Sequence, residues 1–170
     1  MNKIKNFAYS LALVGITATV ASFFSMQAMR TFYHSLNMPM FSPPDAVFSP
    51  VWAVLYSLMI FSYFIVLNSS DKILGQSASL LFLGQLFLQM IWSYLFFGMV
   101  LYLFAFVVII LMIWTVYKMI EQFKIINQTA ANMQYPYLFW LIFVVKSYLI
   151  IKISNIFSFL NLLIFSVILV

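Results

Sequence analysis

Between Ile73 and Tyr117 the chain runs for 45 residues without a charged side chain. A helix needs about 20 mainly apolar residues to cross the hydrocarbon core of a bilayer, so this run holds two crossings and a turn. The rest of the 170 residues has the same character, with 66% hydrophobic and only 6% charged, against about 25% charged in a soluble domain. Too little polar material is present to cover a globule in water, which excludes an ordinary soluble fold. The apolar runs are continuous and lack the alternation of membrane β-barrel strands, so the expected class is an all-α integral membrane protein.

Converting uncharged stretches into crossings predicts five spans, at about 6–29, 46–68, 76–97, 100–120 and 136–155. All lie in a single membrane domain of residues 1–170. Gly98 is the expected turn between the third and fourth, and a polar connection from Glu121 to Gln134 separates the fourth from the fifth. Pro50 falls in the first turn of the second span and Pro136 opens the fifth, both positions that tolerate proline. Residues 156–170 are apolar and slightly short for a crossing, and could continue the last helix, form a half-span or lie in the interface.

Lys3, Lys5, Lys72, Lys118 and Lys124 then fall at one membrane face and Arg30 at the other, so the positive-inside rule puts the N-terminus in the cytoplasm. Lys3 and Lys5 before an apolar run also resemble a signal peptide, but no convincing small-residue cleavage site follows. The net charge of +5 is carried by isolated residues, which argues against a nucleic-acid groove. Without cysteine, disulfides, thiolate metal sites and cysteine nucleophiles are excluded. His34 alone cannot build a metal site. Asp45, Asp71 and Glu121 are too scattered to suggest paired-carboxylate or Ser-His-Asp chemistry. Asp45 more plausibly caps the second helix.

The least ordinary stretch is the first loop and the helix after it. Pro39, Pro43, Pro44 and Pro50 stiffen the segment, and Phe48, Trp52, Leu55, Tyr56 and Met59 follow at helical spacing on one face. By spacing alone such a stripe is more often packing than a binding site. In their order and intervals, Pro39, Phe41, Pro43, Pro44, Phe48, Trp52, Leu55, Tyr56 and Met59 resemble the signature of the translocator protein family, also called the tryptophan-rich sensory protein (TspO/MBR) family. Two further blocks resemble its third and fifth helices: Gln85 to Gly98, and Pro136 to Trp140 with Phe143 and Asn155.

That resemblance covers about residues 7–155. It implies a five-helix bundle, often a homodimer, with a hydrophobic cavity under the first loop that takes porphyrins, sterols and benzodiazepine-type or isoquinoline ligands. Carried over by position, it implies a pocket lined by Tyr33, Trp52, Tyr56, Gln89, Trp92, Phe104, Trp140, Phe143 and Val144. Flat tetrapyrroles suit such a lining, because aromatic faces stack on them while a few polar groups orient them. Gln89 offers an amide donor and acceptor to a ligand; its alternative role is an interhelical hydrogen bond.

The departures from the family pattern are specific. Its frequent tryptophans are Phe32, Phe41 and Phe104 here, its lysine before the first proline is Met38, and its third-helix asparagine is Gln89. Stacking survives these changes, while loss of the indole at Phe32 weakens the porphyrin breakdown proposed for some members. The sterol segment is displaced, leaving a loose match at Val145, Tyr148 and Lys152. His34 is a remote candidate for axial ligation of haem iron.

Lys146, ten residues beyond Pro136, is expected near the bilayer midplane, where it must pair, snorkel or titrate. By helical phase it points away from Trp140, toward another helix, a dimer partner or the interface. The functional expectation is a membrane receptor for flat hydrophobic ligands, with protoporphyrin IX or haem as ligand and no obligatory cofactor, in a bacterial cell membrane. The rival expectations are a porphyrin-degrading enzyme running on Trp52, Trp92 or Trp140, and an assembly subunit with an empty pocket. The chain shows neither the broken helices nor the internal repeats of secondary transporters.

Overall fold

The computed structural model describes the backbone of residues 3–31, 45–69 and 72–149 and the side chains of residues 3–26, 50–69 and 73–149. Among the described residues every regular element is helical. They are α1 (Lys3–Thr31), α2 (Asp45–Leu67), α3 (Lys72–Ser93) with a π-helical turn at Tyr94–Gly98, α4 (Tyr102–Ile126), α5 (Gln128–Asn132) and α6 (135–149). Four segments are long and apolar enough to cross a membrane: Lys3–Met26, Pro50–Leu67, Ile73–Gly98 and Tyr102–Ile126. The fifth expected span is described only as far as residue 149, and the tail 156–170 lies outside the described residues.

Polar side chains tie the helices of the bundle together. At the end that carries the N-terminus, Asn6 Nδ2 donates to the Leu67 carbonyl (3.1 Å) and to Asn68 Oδ1 (3.0 Å). One turn further in, Ser10 donates to the Ile60 carbonyl at 2.7 Å, so α1 and α2 run antiparallel. An unsatisfied polar group buried away from water costs about 2–7 kcal/mol on transfer scales, so pairs of this kind hold helices together. Between these helices and α4 stands an aromatic column. Tyr63 stacks on Phe82 with centroids 4.0 Å apart, and Phe82 faces Phe123 at 6.4 Å.

The boundary between α3 and α4 departs from the sequence expectation. Gly98 has no left-handed backbone; Val100 carries it instead, at φ 58°. The π-helical turn closes through Met99 N–H to Tyr94 C=O and Leu101 N–H to Leu95 C=O, both 2.9 Å, a wider relative of the Schellman end. Gly98 is required for another reason. A Cβ there would meet Tyr94 at 3.1 Å and Phe24 of α1 at 3.3 Å, so the glycine lets α1 approach the turn.

The connection after α4 also differs. The helix continues through Glu121, which pairs with Lys124 at 2.7 Å, and ends at Ile126 rather than near residue 120. Asn127 then caps α5 by accepting from Ala130 N–H at 3.1 Å. The short helix turns one face inward and leaves Gln128, Thr129 and Asn132 exposed. Ala130, Ala131 and Gln134 are completely buried, and Ser62 of α2 donates to the Ala130 carbonyl at 2.7 Å. α6 follows directly, with Pro136 exposed and Tyr137 buried.

Tyr148 stacks on Phe106 at 5.3 Å, which puts Lys146 about 9 Å from the level where α4 begins, at 1.5 Å per residue. On a helix of 25 residues, about 37 Å long, that is nearer the edge than the middle. The expected midplane position is thus corrected. The side chain is exposed on the outside of the bundle.

Candidate functional site

Trp52 and Tyr56, one turn apart near the start of α2, present their rings to the same side, 5.2 Å apart. α6 runs antiparallel to α2 and brings its own aromatics against them: Trp140 meets Trp52 edge to face at 6.4 Å and 82°, and Tyr137 lies 6.5 Å from it. Phe143 extends the cluster from Trp140 at 5.5 Å. The spacing of Tyr137, Trp140 and Phe143 at every third position is what holds one helix face toward α2. Ring pairs in such offset and edge-on geometry are attractive beyond their buried area.

α3 supplies the polar element. Gln89 is buried, and its Oε1 accepts from the Tyr137 hydroxyl at 2.8 Å. The Tyr56 hydroxyl faces the same amide. Met112 Sδ of α4 lies 3.2 Å from the Tyr137 oxygen, beside the bond to Gln89. Four helices thus meet around the Tyr137–Gln89 pair. The two roles weighed for Gln89 meet here, since the group that would orient a ligand is already an interhelical bond.

One turn further along α3 and α6 the packing changes partners. Trp92 stacks on Phe96 at 5.0 Å and crosses Phe97 edge-on at 5.7 Å. Together with Val144, Val145 and Tyr148 of α6 and Phe106 and Ile109 of α4, it encloses a crevice of about 10 Å³, less than a ligand ring needs. A flat ligand entering between α3, α4 and α6 has to displace side chains. A larger groove, about 450 Å³, opens at the opposite end of the bundle, where Lys3, Asn68 and Asn127 face Phe64 and Ile126. It is separate from the aromatic cluster.

The residues singled out in the sequence therefore divide. Trp52, Tyr56, Gln89, Trp140 and Phe143 join in one cluster; Trp92 and Val144 line the adjoining crevice. Phe104 stands apart, 60% exposed on the outside of α4. Position-by-position transfer puts it in the pocket, but the helical phase of α4 turns Ala105, Ile109 and Met112 inward instead. Tyr33, His34, Phe32, Met38, Phe41, Lys152 and Asn155 lie outside the described residues.

Tyr137 is the member that sequence reasoning passed over. Its signal was present: a hydroxyl three residues before Trp140 on an apolar face demands a buried partner, and Gln89 was the obvious one. Gln85 and Gln134 were missed as well. Both are fully buried at 0% exposure, Gln85 one turn before Gln89 on α3 and Gln134 three residues before Tyr137.

The profile described as TspO/MBR family matches residues 8–155. A tryptophan-rich protein TspO of Chlorobaculum tepidum is 33% identical over 146 residues, 84% of this chain and 92% of that protein. One from Archaeoglobus fulgidus is 34% identical over 102 residues, 58% of this chain and 63% of that protein. The translocator protein of Homo sapiens is 31% identical over 113 residues, 65% of this chain and 67% of its own. With a helical membrane bundle and a matching profile over nearly its whole length, the chain belongs to the TspO/MBR family.

Proposed function

We propose that the protein is a membrane receptor for flat hydrophobic ligands, with porphyrins such as protoporphyrin IX as the ligand class. The observation that carries the reading is the cluster of Trp52, Tyr56, Trp140 and Phe143, joined through Tyr137 to the Gln89 amide. Aromatic faces offer a tetrapyrrole its stacking area, and one amide with two tyrosine hydroxyls offers it orientation. The N-terminus is cytoplasmic in this reading, the membrane is the bacterial cell membrane, and the working unit is a homodimer.

Titration of the detergent-purified protein with protoporphyrin IX in the dark, followed by tryptophan quenching, tests the reading. Saturable micromolar binding that Trp140→Ala weakens is the expected result. Quenching that never saturates, or that is the same in both proteins, refutes it. Repeating the titration in light separates receptor from enzyme: a stable porphyrin spectrum belongs to a receptor, bleaching to a catalyst.

A further inference from the structure

α3 and α6 run parallel, because Gln89 meets Tyr137 while Trp92, one turn on, faces Val144 and Tyr148. In the other direction stand Gln85, four residues before Gln89 and about 6 Å back along the α3 axis, and Gln134, in the turn just before α6 and three residues before Tyr137. Each is 0% exposed. Among the described residues, the amide nitrogen and oxygen of both side chains have no hydrogen-bond partner. The backbone of Gln134 is satisfied, its N–H donating to Ala131 C=O at 3.0 Å and its C=O accepting from Leu138 at 3.1 Å, so only the side chain is left over.

Two orphaned amides are costly in a bundle surrounded by hydrocarbon, and such groups are normally met by water or ligand. Each presents donors and an acceptor together. The charge of the surroundings narrows what can meet them. The buried polar residues among those described are all neutral: Asn6, Ser10, Thr17, Ser62, Gln85, Gln89, Ser93 and Gln134. A carboxylate brought here has no cation to pair with and loses its hydration. Met59 and Met112, both buried, are side chains of the same core and repack easily around an entering group.

We propose that Gln85 and Gln134 form a deeper polar subsite, one turn beyond Gln89, that takes a neutral ligand group carrying both a hydrogen-bond donor and an acceptor, such as a carboxamide or lactam. The inference rests on the aromatic cluster being the porphyrin site. It adds a selection the cluster alone does not make: the flat body is held by stacking, while the uncharged donor–acceptor edge chooses among bodies of equal shape.

Three probes with the same ring separate the cases: protoporphyrin IX, its dimethyl ester, which has acceptors only, and its bis-carboxamide. Wild type is expected to bind the bis-carboxamide about tenfold more tightly than the dimethyl ester, the worth of one well-made hydrogen bond. Gln85→Leu and Gln134→Leu should each bring that ratio toward one and leave ester affinity unchanged. Should either leucine variant fail to fold, Gln85→Met and Gln134→Met make the same comparison. Equal affinity for both neutral probes in wild type, or a preference that survives both substitutions, overturns the subsite. So does a fall in melting temperature with the ratio unmoved, the mark of two amides that only satisfy each other. Saturable ester binding without an amide preference removes the subsite and leaves the receptor reading intact; no saturable binding by any of the three removes both.

Discussion

Tyr137 of α6 donates its hydroxyl hydrogen to Gln89 Oε1 of α3 at 2.8 Å, inside a bundle where neither group can reach water. The bond fixes the register of α6 against α3, and with it the position of Trp140 against Trp52. Tyr137→Phe removes the donor and leaves Gln89 to Tyr56 alone. It is expected to lower stability by about 1 kcal/mol, the usual scale for such bonds in membrane bundles. A double-mutant cycle with Gln89→Leu, read by thermal melting in detergent, should return a coupling of similar size. Additive single effects would show that the bond does not hold the helices.

Ser62 holds α5 in the core by donating to the Ala130 carbonyl at 2.7 Å. Ser62→Ala leaves that carbonyl buried and unpartnered, at an expected cost of about 1–3 kcal/mol. Because α5 leads directly into α6, the same substitution should weaken ligand binding although Ser62 is nearly three turns from Trp52. Melting curves and the porphyrin titration measured side by side check both halves.

Val100 occupies the left-handed region at φ 58°, which a β-branched residue adopts only under constraint. Val100→Gly is expected to stabilise the turn between α3 and α4 by about 1 kcal/mol, the scale of the left-handed penalty. Gly98→Ala has the opposite sign, since its methyl would press on Tyr94 and Phe24. A melting temperature that falls for Val100→Gly would mean that its side-chain contacts outweigh the backbone strain.

Phe104 and Trp52 make a matched pair of tests for where the ligand sits. Trp52→Ala removes a ring in contact with Tyr56, Tyr137 and Trp140 and should weaken protoporphyrin IX binding about tenfold. Phe104, 60% exposed, should tolerate alanine with affinity changed less than twofold. A large loss at Phe104 would place the ligand, or a second copy of the chain, on the outer face of α4.

Much of this protein is written in its linear pattern. Uncharged runs of 20 residues or more admit only one solution in hydrocarbon, a helix that satisfies its own backbone. The order of aromatic and proline residues around Trp52 and Trp140 carries the family resemblance. The side on which Trp140 and Phe143 fall follows from helical phase.

Depth and partnership did not follow from pattern. Counting from Pro136 puts Lys146 at midplane, yet the stacking of Tyr148 on Phe106 sets it nearer the level where α4 begins. Positional transfer assigns Phe104 to the pocket, yet the packing of Ala105 and Ile109 turns it outward. Local sequence determines which segments become helices and which face is apolar, because backbone hydrogen bonding and hydrophobicity are properties of neighbours in the chain. How far a helix is displaced along its axis, and which amide meets which hydroxyl, depends on side chains 48 residues apart, as Gln89 and Tyr137 are. Those choices are made only when the helices pack and each buried polar group must find its partner.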